Sequence, residues 1–307
     1  MKPETTPQAA IYHKSVLPRE VIEQLNLKPG GVYVDVTFGG GGHTQSILQA
    51  EPTCKVIAFD WDKIALKVNG EPLQATFGPR LELVWGNFAH FDRCMKKIHV
   101  TGVDGILADF GTSQNQIHER EGFSFRKDTD LDMRMSPGHQ KVWARDLLNK
   151  CSANELAKII FEYGEDYNAT KIARAIVTAR GKKRIMTTFD LVEIVESVIP
   201  FSRTKKIHPA TKTFQALRIA VNHELDNIVS FLKASVNYLN PCGRIACISF
   251  HSLEDRIVKT FFKEQQKVLT NLTKKPITAS EEEIAANASS RSAKLRVAEK
   301  SLQVCNK

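Results

Sequence analysis

The stretch Val34-Asp-Val-Thr-Phe-Gly-Gly-Gly-Gly-His43 joins a short hydrophobic run to four consecutive glycines and then to a helix-like segment. Glycine lets the backbone adopt positive φ and approach a ligand closely, and a helix N-terminus presents free amide groups. The pattern predicts a turn that binds a nucleotide-like ligand, with a turn that serves geometry alone as the alternative. Thr44 stands where a dinucleotide fingerprint has its third glycine, which disfavours a nicotinamide cofactor and hence a dehydrogenase.

Hydrophobic runs elsewhere in the chain predict a parallel sheet. Five runs rich in β-branched residues lack polar alternation, as strands buried on both faces do: Val32–Thr37, Lys55–Asp60, Leu81–Gly86, Gly105–Phe110 and Arg244–Phe250. Helix-like segments at His43–Ala50 and Lys63–Leu73 separate the first three runs, which predicts a βαβαβ start. Lys294–Glu299 is predicted to close the sheet as an edge strand.

A helical region interrupts this alternation. From about residue 140 to residue 200 the pattern is helical, and Ser152-Ala-Asn-Glu155 is a capping box that opens one helix. A long helical stretch, Ala210–Leu239, then leads into the fifth strand. We therefore predict an α/β fold in which a sheet domain, formed by residues 1–136 and 208–307, is split by an inserted helical domain at residues 137–207.

The charge, hydrophobic pattern and cysteine spacing of the chain limit the classes of protein to which it can belong. The chain has 43 Lys and Arg against 34 Asp and Glu, and this net charge of +9 favours a polyanionic partner such as nucleic acid, with a basic enzyme as the alternative. No stretch approaches the roughly 18 apolar residues of a membrane-spanning helix, so we expect a soluble intracellular protein without a membrane partner. The six cysteines are scattered and lack zinc-ligand spacing, which predicts reduced thiols and no metal.

Several residues follow the carboxyl ends of the predicted strands, where open α/β sheets bind ligands. Asp60 lies about twenty residues beyond the glycines, where a carboxylate accepts the hydroxyls of a ribose. Phe88 either stacks on an adenine or packs in the core. Asp109 directly follows an apolar run and needs a partner, which a cofactor or a substrate amine would supply. Asp62 is expected to cap the next helix.

Longer motifs resemble one family along nearly the whole chain. Besides the glycine stretch they are His13-Lys-Ser-Val-Leu17, Gly122-Phe-Ser-Phe125, Leu131-Asp-Met-Arg-Met135, His208-Pro-Ala-Thr211, Thr213-Phe-Gln-Ala-Leu-Arg218, Val221-Asn222, Ile248-Ser-Phe-His-Ser-Leu-Glu-Asp-Arg256 and Arg291-Ser-Ala-Lys-Leu-Arg296. With these motifs the chain resembles the bacterial 16S rRNA cytosine-N4 methyltransferases, the MraW or RsmH family.

The resemblance implies a class I, Rossmann-like methyltransferase sheet with an inserted domain that recognises RNA. It implies S-adenosyl-L-methionine as cofactor, and N4-methylation of a cytosine near the decoding centre of small-subunit ribosomal RNA. It further implies a location in the cytoplasm, or in the mitochondrial matrix of a eukaryotic source, and it admits a homodimer. The cofactor contacts carried over are Gly41, Gly42, His43, Asp60, Phe88, Asp109 and Gln116, of which His43 and Gln116 come from the resemblance alone.

Departures from the family pattern keep one alternative open. The family's paired serines before Pro-Gln are replaced by Ser113-Gln-Asn-Gln116, and Glu121 and Ser136 stand where the family usually has Arg and Asp. An assembly factor that binds RNA without catalysis is therefore the alternative to an enzyme. The intact glycine stretch, Asp60 and Asp109 favour the enzyme.

A cytosine amine is a poor nucleophile, so positioning and electrostatics are expected to dominate catalysis. Asp109 is the predicted catalytic residue, because a carboxylate that accepts an amine proton localises the nitrogen lone pair. Further candidates for the acceptor set are His251, Glu254 and Asp255, and His251 either orients the base or is a histidine satisfied within its loop. Asn222 and Glu224 either contact the target or hold the loop. RNA contact is predicted, against a solvated helix end, for Lys171, Arg174, Arg180, Lys182, Lys183, Arg184, Arg203, Lys205 and Lys206.

Overall fold

An eight-stranded sheet forms the centre of the protein in the computed structural model, which describes residues 15–111, 121–202 and 207–302. The strands are β1 (Val32–Asp35), β2 (Lys55–Asp60), β3 (Leu81–Trp85), β4 (Val103–Asp109), β5 (Leu239–Ser249), β6 (Leu269–Asn271), β7 (Ile277–Thr278) and β8 (Lys294–Lys300). Their order is β3-β2-β1-β4-β5-β8-β6, with β7 also paired to β8. The strands β1 to β5 run parallel, and β8 is antiparallel to its neighbours. The predicted α/β, Rossmann-like fold is confirmed.

The prediction that Lys294–Glu299 forms an edge strand is wrong. β8 lies between β5 and β6, and its residues 295–298 are buried. The reason is a short further strand, β6, which pairs with the far side of β8 through Leu269, Thr270 and Asn271. A strand of three residues leaves too little periodicity to be predicted.

Helices cover both faces of the sheet and build a separate cluster beside it. They are α1 (Pro18–Leu25), α2 (Gly42–Ala50), α3 (Lys63–Ala65), α4 (Glu71–Phe77), α5 (Phe91–Lys97), α6 (Ala144–Lys150), α7 (Ala153–Gly164), α8 (Ala169–Arg180), α9 (Thr188–Val198), α10 (Ala210–Asn222), α11 (Glu224–Tyr238), α12 (Ser252–Glu264) and α13 (Glu281–Ala286). Among the described residues, no helix is long and apolar enough to cross a membrane.

Local signals account for where several helices begin and end. The Asp62 side chain accepts from the Ile64 amide at 3.0 Å, and Ser152 and Glu155 form the predicted reciprocal cap of α7. The stretch 210–239 differs from the prediction of one long helix. His223, at φ 52°, breaks it into α10 and α11, because a left-handed residue cannot continue a right-handed helix.

Three hydrophobic cores hold these elements together. One lies on each face of the sheet, around Phe91 and Phe231 on one side and around Tyr33 on the other. The third core joins α6 to α10 and takes in residues 131–221, so it extends beyond residues 137–207 on both sides. The domain boundaries at residues 136 and 207 stay a prediction.

Candidate active site at the carboxyl edge of the sheet

The four glycines form the tight turn between β1 and α2. Gly39 and Gly41 have φ of +52° and +77°, values that side-chain-bearing residues rarely adopt. A Cβ atom at Gly41 would overlap the Leu73 side chain and lie 2.7 Å from Phe38 Cζ. Glycine is therefore required at position 41 both by backbone conformation and by the packing of the turn.

Asp60, at the end of β2, holds this turn in place. Its Oδ2 accepts from the Gly39 amide at 2.7 Å, and its Oδ1 accepts from the Asp62 amide at 2.8 Å. Burial raises the pKa of Asp60 to about 6. The predicted ribose-binding carboxylate thus also shapes the glycine turn, and it lines a cavity beside it.

Asp35 is a buried carboxylate beneath the turn that the sequence analysis did not single out. Its Oδ2 accepts from the Thr44 hydroxyl at 2.8 Å, its Oδ1 accepts from the Thr37 amide at 3.1 Å, and burial raises its pKa. Thr37 Oγ1 in turn accepts from the Asp109 amide at 2.7 Å. A charged residue inside the apolar run of β1 was the available signal, because a buried carboxylate requires such partners.

His43 points toward Asp109 from the first turn of α2. The imidazole is 6% exposed, and its Nε2 lies 3.6 Å from Asp109 Oδ2, beyond hydrogen-bond distance. Both ring nitrogens are buried without a hydrogen-bond partner among the described residues. Such atoms are costly to leave unsatisfied, so the arrangement suits a polar ligand bound between His43 and Asp109.

Two neighbouring cavities meet at Asp109. The larger, of about 430 Å³, is lined by the glycine turn, His43, Arg126, Arg218 and His251. The smaller, of about 80 Å³, is lined by residues that include Asp60, Trp61, Phe88, Met135 and Glu224. Asp109 lines both cavities, and its side chain is 22% exposed.

Phe88 packs in the core and also lines a cavity, and its contact with an adenine stays a prediction. Its ring centroid lies 5.9 Å from that of Phe110 and 5.7 Å from that of Phe231, so it packs against the core below α11. It also lines the smaller cavity opposite the carboxylates. An aromatic wall of this kind is suited to contact a planar ring.

Two interacting side-chain pairs, Arg218 with Glu224 and His251 with Glu254, line the cavities. Arg218 donates from Nε and Nη2 to the two oxygens of Glu224, each at 2.9 Å. Glu254 accepts from the Phe250 amide at 2.7 Å, and its Oε1 lies 3.2 Å from His251 Nε2. A possible metal site lies here, because one side-chain atom from each of Glu224, His251 and Glu254 is within 4.8 Å of the other two. Arg218, however, already bonds to both Glu224 oxygens.

Other candidates lie away from the cavities. Asn222 is 1% exposed and holds the loop: its Oδ1 accepts from the Met135 amide, and its Nδ2 donates to the Met133 and Arg218 carbonyls, each at 2.8 Å. Asp255 forms a two-point ion pair with Arg296, at 2.6 and 3.1 Å. Both residues support the site without lining it.

Several predicted residues lie outside the described ranges, namely Gln116, Arg203, Lys205 and Lys206. Two of the described basic residues of the insertion have structural partners. Arg180 donates to the Leu148 and Cys151 carbonyls, at 2.7 and 2.6 Å, and Lys183 pairs with Asp190 at 3.0 Å. Lys183 is nevertheless exposed, as are Lys171, Arg174, Lys182 and Arg184.

Comparison with known proteins identifies the family. A model described as the MraW methylase family matches residues 10–301. The chain belongs to this family. Two relatives named ribosomal RNA small subunit methyltransferase H come from Sulfurihydrogenibium sp. (strain YO3AOP1), 48% identical over 94% of this chain and 98% of that protein, and from Desulfotalea psychrophila, 47% identical over the same shares. A third, from Geobacter sulfurreducens, is 46% identical, again over 94% and 98%.

Solved structures resemble the chain less closely. TrmN from Thermus thermophilus shares 13% identity at a TM-score of 0.44, covering 92% of this chain and 48% of that chain. The MraW family assignment rests on the sequence relatives, and it confirms the resemblance inferred from the motifs. The cofactor of this methylase family is S-adenosyl-L-methionine. The glycine turn and the unpartnered nitrogens of His43 fit such a polar, nucleoside-bearing ligand.

Proposed function

We propose that this protein is an S-adenosyl-L-methionine-dependent methyltransferase that methylates N4 of a cytosine in small-subunit ribosomal RNA, near the decoding centre. Membership of the MraW methylase family and relatives named for small-subunit ribosomal RNA support the reaction class and the substrate. The observation that carries the proposal is the position of Asp109, on the shared wall of two cavities. Glu254 lines both cavities as well, but its oxygens already face the Phe250 amide and His251 Nε2, whereas Asp109, at the end of β4, is proposed to lie between the methyl donor and its acceptor.

The proposed cofactor contacts are supported by the positions of Asp60 and Phe88 on the smaller cavity and of Gly42 and His43 on the larger one. Asp60 and Phe88 are proposed to hold the nucleoside, Asp60 through the ribose hydroxyls and Phe88 through the adenine ring. Gly41, Gly42 and His43 are proposed to contact the amino-acid portion, where the His43 nitrogens would gain partners. Gln116 completes the set as a proposal from the family pattern.

Asp109 is proposed as the catalytic residue. When bound, the cofactor supplies an electrophilic methyl group. We propose that the Asp109 carboxylate accepts a hydrogen bond from the cytosine amine, which localises the nitrogen lone pair, and takes the proton that the nitrogen loses as it gains the methyl group that the cofactor would give up. His43 Nε2 lies 3.6 Å from Asp109 Oδ2, and His43 is proposed to orient this carboxylate.

The larger cavity is proposed to receive the target base. A cytosine within structured RNA cannot reach a buried methyl group unless it is extruded or already unpaired. The exposed cations of the helical insertion are proposed to bind phosphates around it, which positions the RNA without reading its sequence. The unit at residues 137–207 is thus proposed as the RNA-recognition domain.

The proposed substrate and family also lead to proposals for the cellular compartment and the assembly of the protein. The proposed compartment is the cytoplasm, where bacterial small subunits are assembled, or the mitochondrial matrix if the source is eukaryotic. A homodimer is the proposed assembly, and the molar mass in solution, measured by light scattering, distinguishes it from a monomer.

The proposal is tested by transfer of a labelled methyl group from S-adenosyl-L-methionine to small ribosomal subunits that lack the modification. We expect label in the RNA with the native protein and strongly reduced label with Asp109→Ala. If both cofactor and RNA bind but the native protein transfers no label, the non-catalytic assembly factor becomes the better account.

A further inference from the structure

A groove of about 480 Å³ runs along the open edge of the sheet, outside both cavities of the site. β3 is the edge strand, with β2 as its neighbour in the sheet. The groove lies between β3 and α5 and is closed at one end by His139, from the start of the helical insertion. Its lining includes Trp85, His90, Arg93, Lys97 and His139.

Trp85 presents an aromatic face to this groove. The side chain is 51% exposed, although its Nε1 is already bonded to the Trp61 carbonyl at 3.1 Å. The His139 ring lies 4.9 Å away, and Lys63 Nζ lies 5.5 Å from the Trp85 ring centroid. The indole is therefore held in one orientation with apolar surface in solvent, as a platform for stacking requires.

The wall opposite the indole is positively charged. Arg93 and Lys97 are exposed one turn apart on α5, and within the described ranges neither has a carboxylate partner at ion-pair distance. Their helix neighbours Asp92 and Lys96 pair with each other at 2.8 Å instead. Glu82 is the acidic residue among the groove lining, so cations predominate.

We propose that this groove binds a single-stranded segment of the substrate RNA that flanks the target nucleotide. A base stacks on Trp85 while Arg93 and Lys97 contact phosphates, and a single strand is required because bases in a duplex are already stacked. Trp61, whose carbonyl accepts from Trp85 Nε1, also lines the smaller cavity of the active site, so this residue connects the groove to the site. The inference rests on the proposed function for the identity of the RNA.

The test measures how tightly the protein binds a fluorescent oligouridine, which contains no cytosine. We expect Trp85→Ala to weaken binding about tenfold, with most of the affinity restored in Trp85→Phe. Arg93→Glu/Lys97→Glu is expected to weaken binding by at least tenfold and to reduce the slope of log K against log salt by about 1 to 2. The matched control is Lys259→Glu/Lys263→Glu, a one-turn pair of exposed lysines on α12.

Equal affinity of the groove variants and the α12 control would overturn the inference, and is the result expected if the groove receives a protein strand. If Trp85→Ala unfolds, the double charge reversal still tests the inference, because the Arg93 and Lys97 side chains that it replaces are exposed. Since oligouridine binding does not require methyl transfer, a failure of the proposed reaction is detected separately, in the label-transfer assay.

Discussion

At the scale of single residues, Asp109 is proposed both to contact the cofactor and to act in catalysis. Replacement by Asn keeps the shape but removes the negative charge that faces His43 and the acceptor amine. We expect Asp109→Asn to slow methyl transfer by about 100-fold or more while RNA affinity is unchanged. Single-turnover rates and RNA-binding titrations measure the two effects, with the 81%-exposed Asp226→Asn as control. Transfer at the native rate would remove Asp109 from the mechanism.

The raised pKa of Asp60 predicts that cofactor affinity depends on pH. Burial raises its pKa to about 6, and the ionised carboxylate is the form that best accepts the ribose hydroxyls. Cofactor affinity should therefore be full above pH 6 and fall up to about tenfold per unit below it. Calorimetric titration across this range checks the slope, and Asp60→Asn should flatten it. Affinity in the native protein that is constant down to pH 5 would be incompatible with this role.

How far the sequence predicts the site depends on the kind of residue. Asp60 and Asp109 are predictable because strand ends in a parallel sheet converge on one edge. The choice between the two roles of Asn222 is not predictable, because its partner Met135 is 87 residues away in the chain. Asp35 was missed, although its charge within the apolar run of β1 was a signal, because its bonds to Thr37 and Thr44 form only in the folded turn. That the ring nitrogens of His43 have no partner among the described residues follows from tertiary packing alone.

At the scale of elements, the connection between the helical unit and the sheet depends on Asn222. It joins the end of α10 to the loop at residues 133–135, and Met135 in that loop lines the smaller cavity. Asn222→Ala leaves buried backbone groups unpaired and should lower the free energy of unfolding by about 2–4 kcal/mol. Chemical denaturation measures this.

The control for that substitution is Asn240→Ala, because within the described ranges the Asn240 side chain makes one hydrogen bond, from Nδ2 to Asp104 at 3.2 Å. It should cost about 1 kcal/mol. Equal losses in the two variants would show that Asn222 contributes no more than an ordinary polar contact.

Long elements were predictable and short or interrupted ones were not. The parallel strands and α2 follow from uninterrupted apolar runs and turn signals, and they lie within a few residues of their predicted bounds. The break at His223 has no glycine or proline to mark it, and the three-residue β6 has no periodicity, so α10, α11 and the internal position of β8 required the structure.

At the scale of the whole molecule, the net charge of +9 is the property that connects the fold to RNA. Among the basic residues of the insertion, Lys171 and Arg174 are exposed on α8, whereas Arg180 is bonded to backbone carbonyls. Lys171→Glu/Arg174→Glu should weaken binding to ribosomal RNA and lower its salt dependence, whereas Arg180→Ala should mainly reduce stability. Filter binding across salt concentrations and thermal unfolding distinguish the two effects. Unchanged RNA affinity of the α8 double variant would exclude that helix from the interface.

The central claim is that one site methylates the amine of a cytosine. The direct measurement is mass spectrometry of nucleosides from unmodified small ribosomal subunits after incubation with the purified protein and S-adenosyl-L-methionine. The structure and the family predict N4-methylcytidine, absent when Asp109→Ala replaces the native protein. A different methylated nucleoside, or none although cofactor and RNA both bind, would contradict this account.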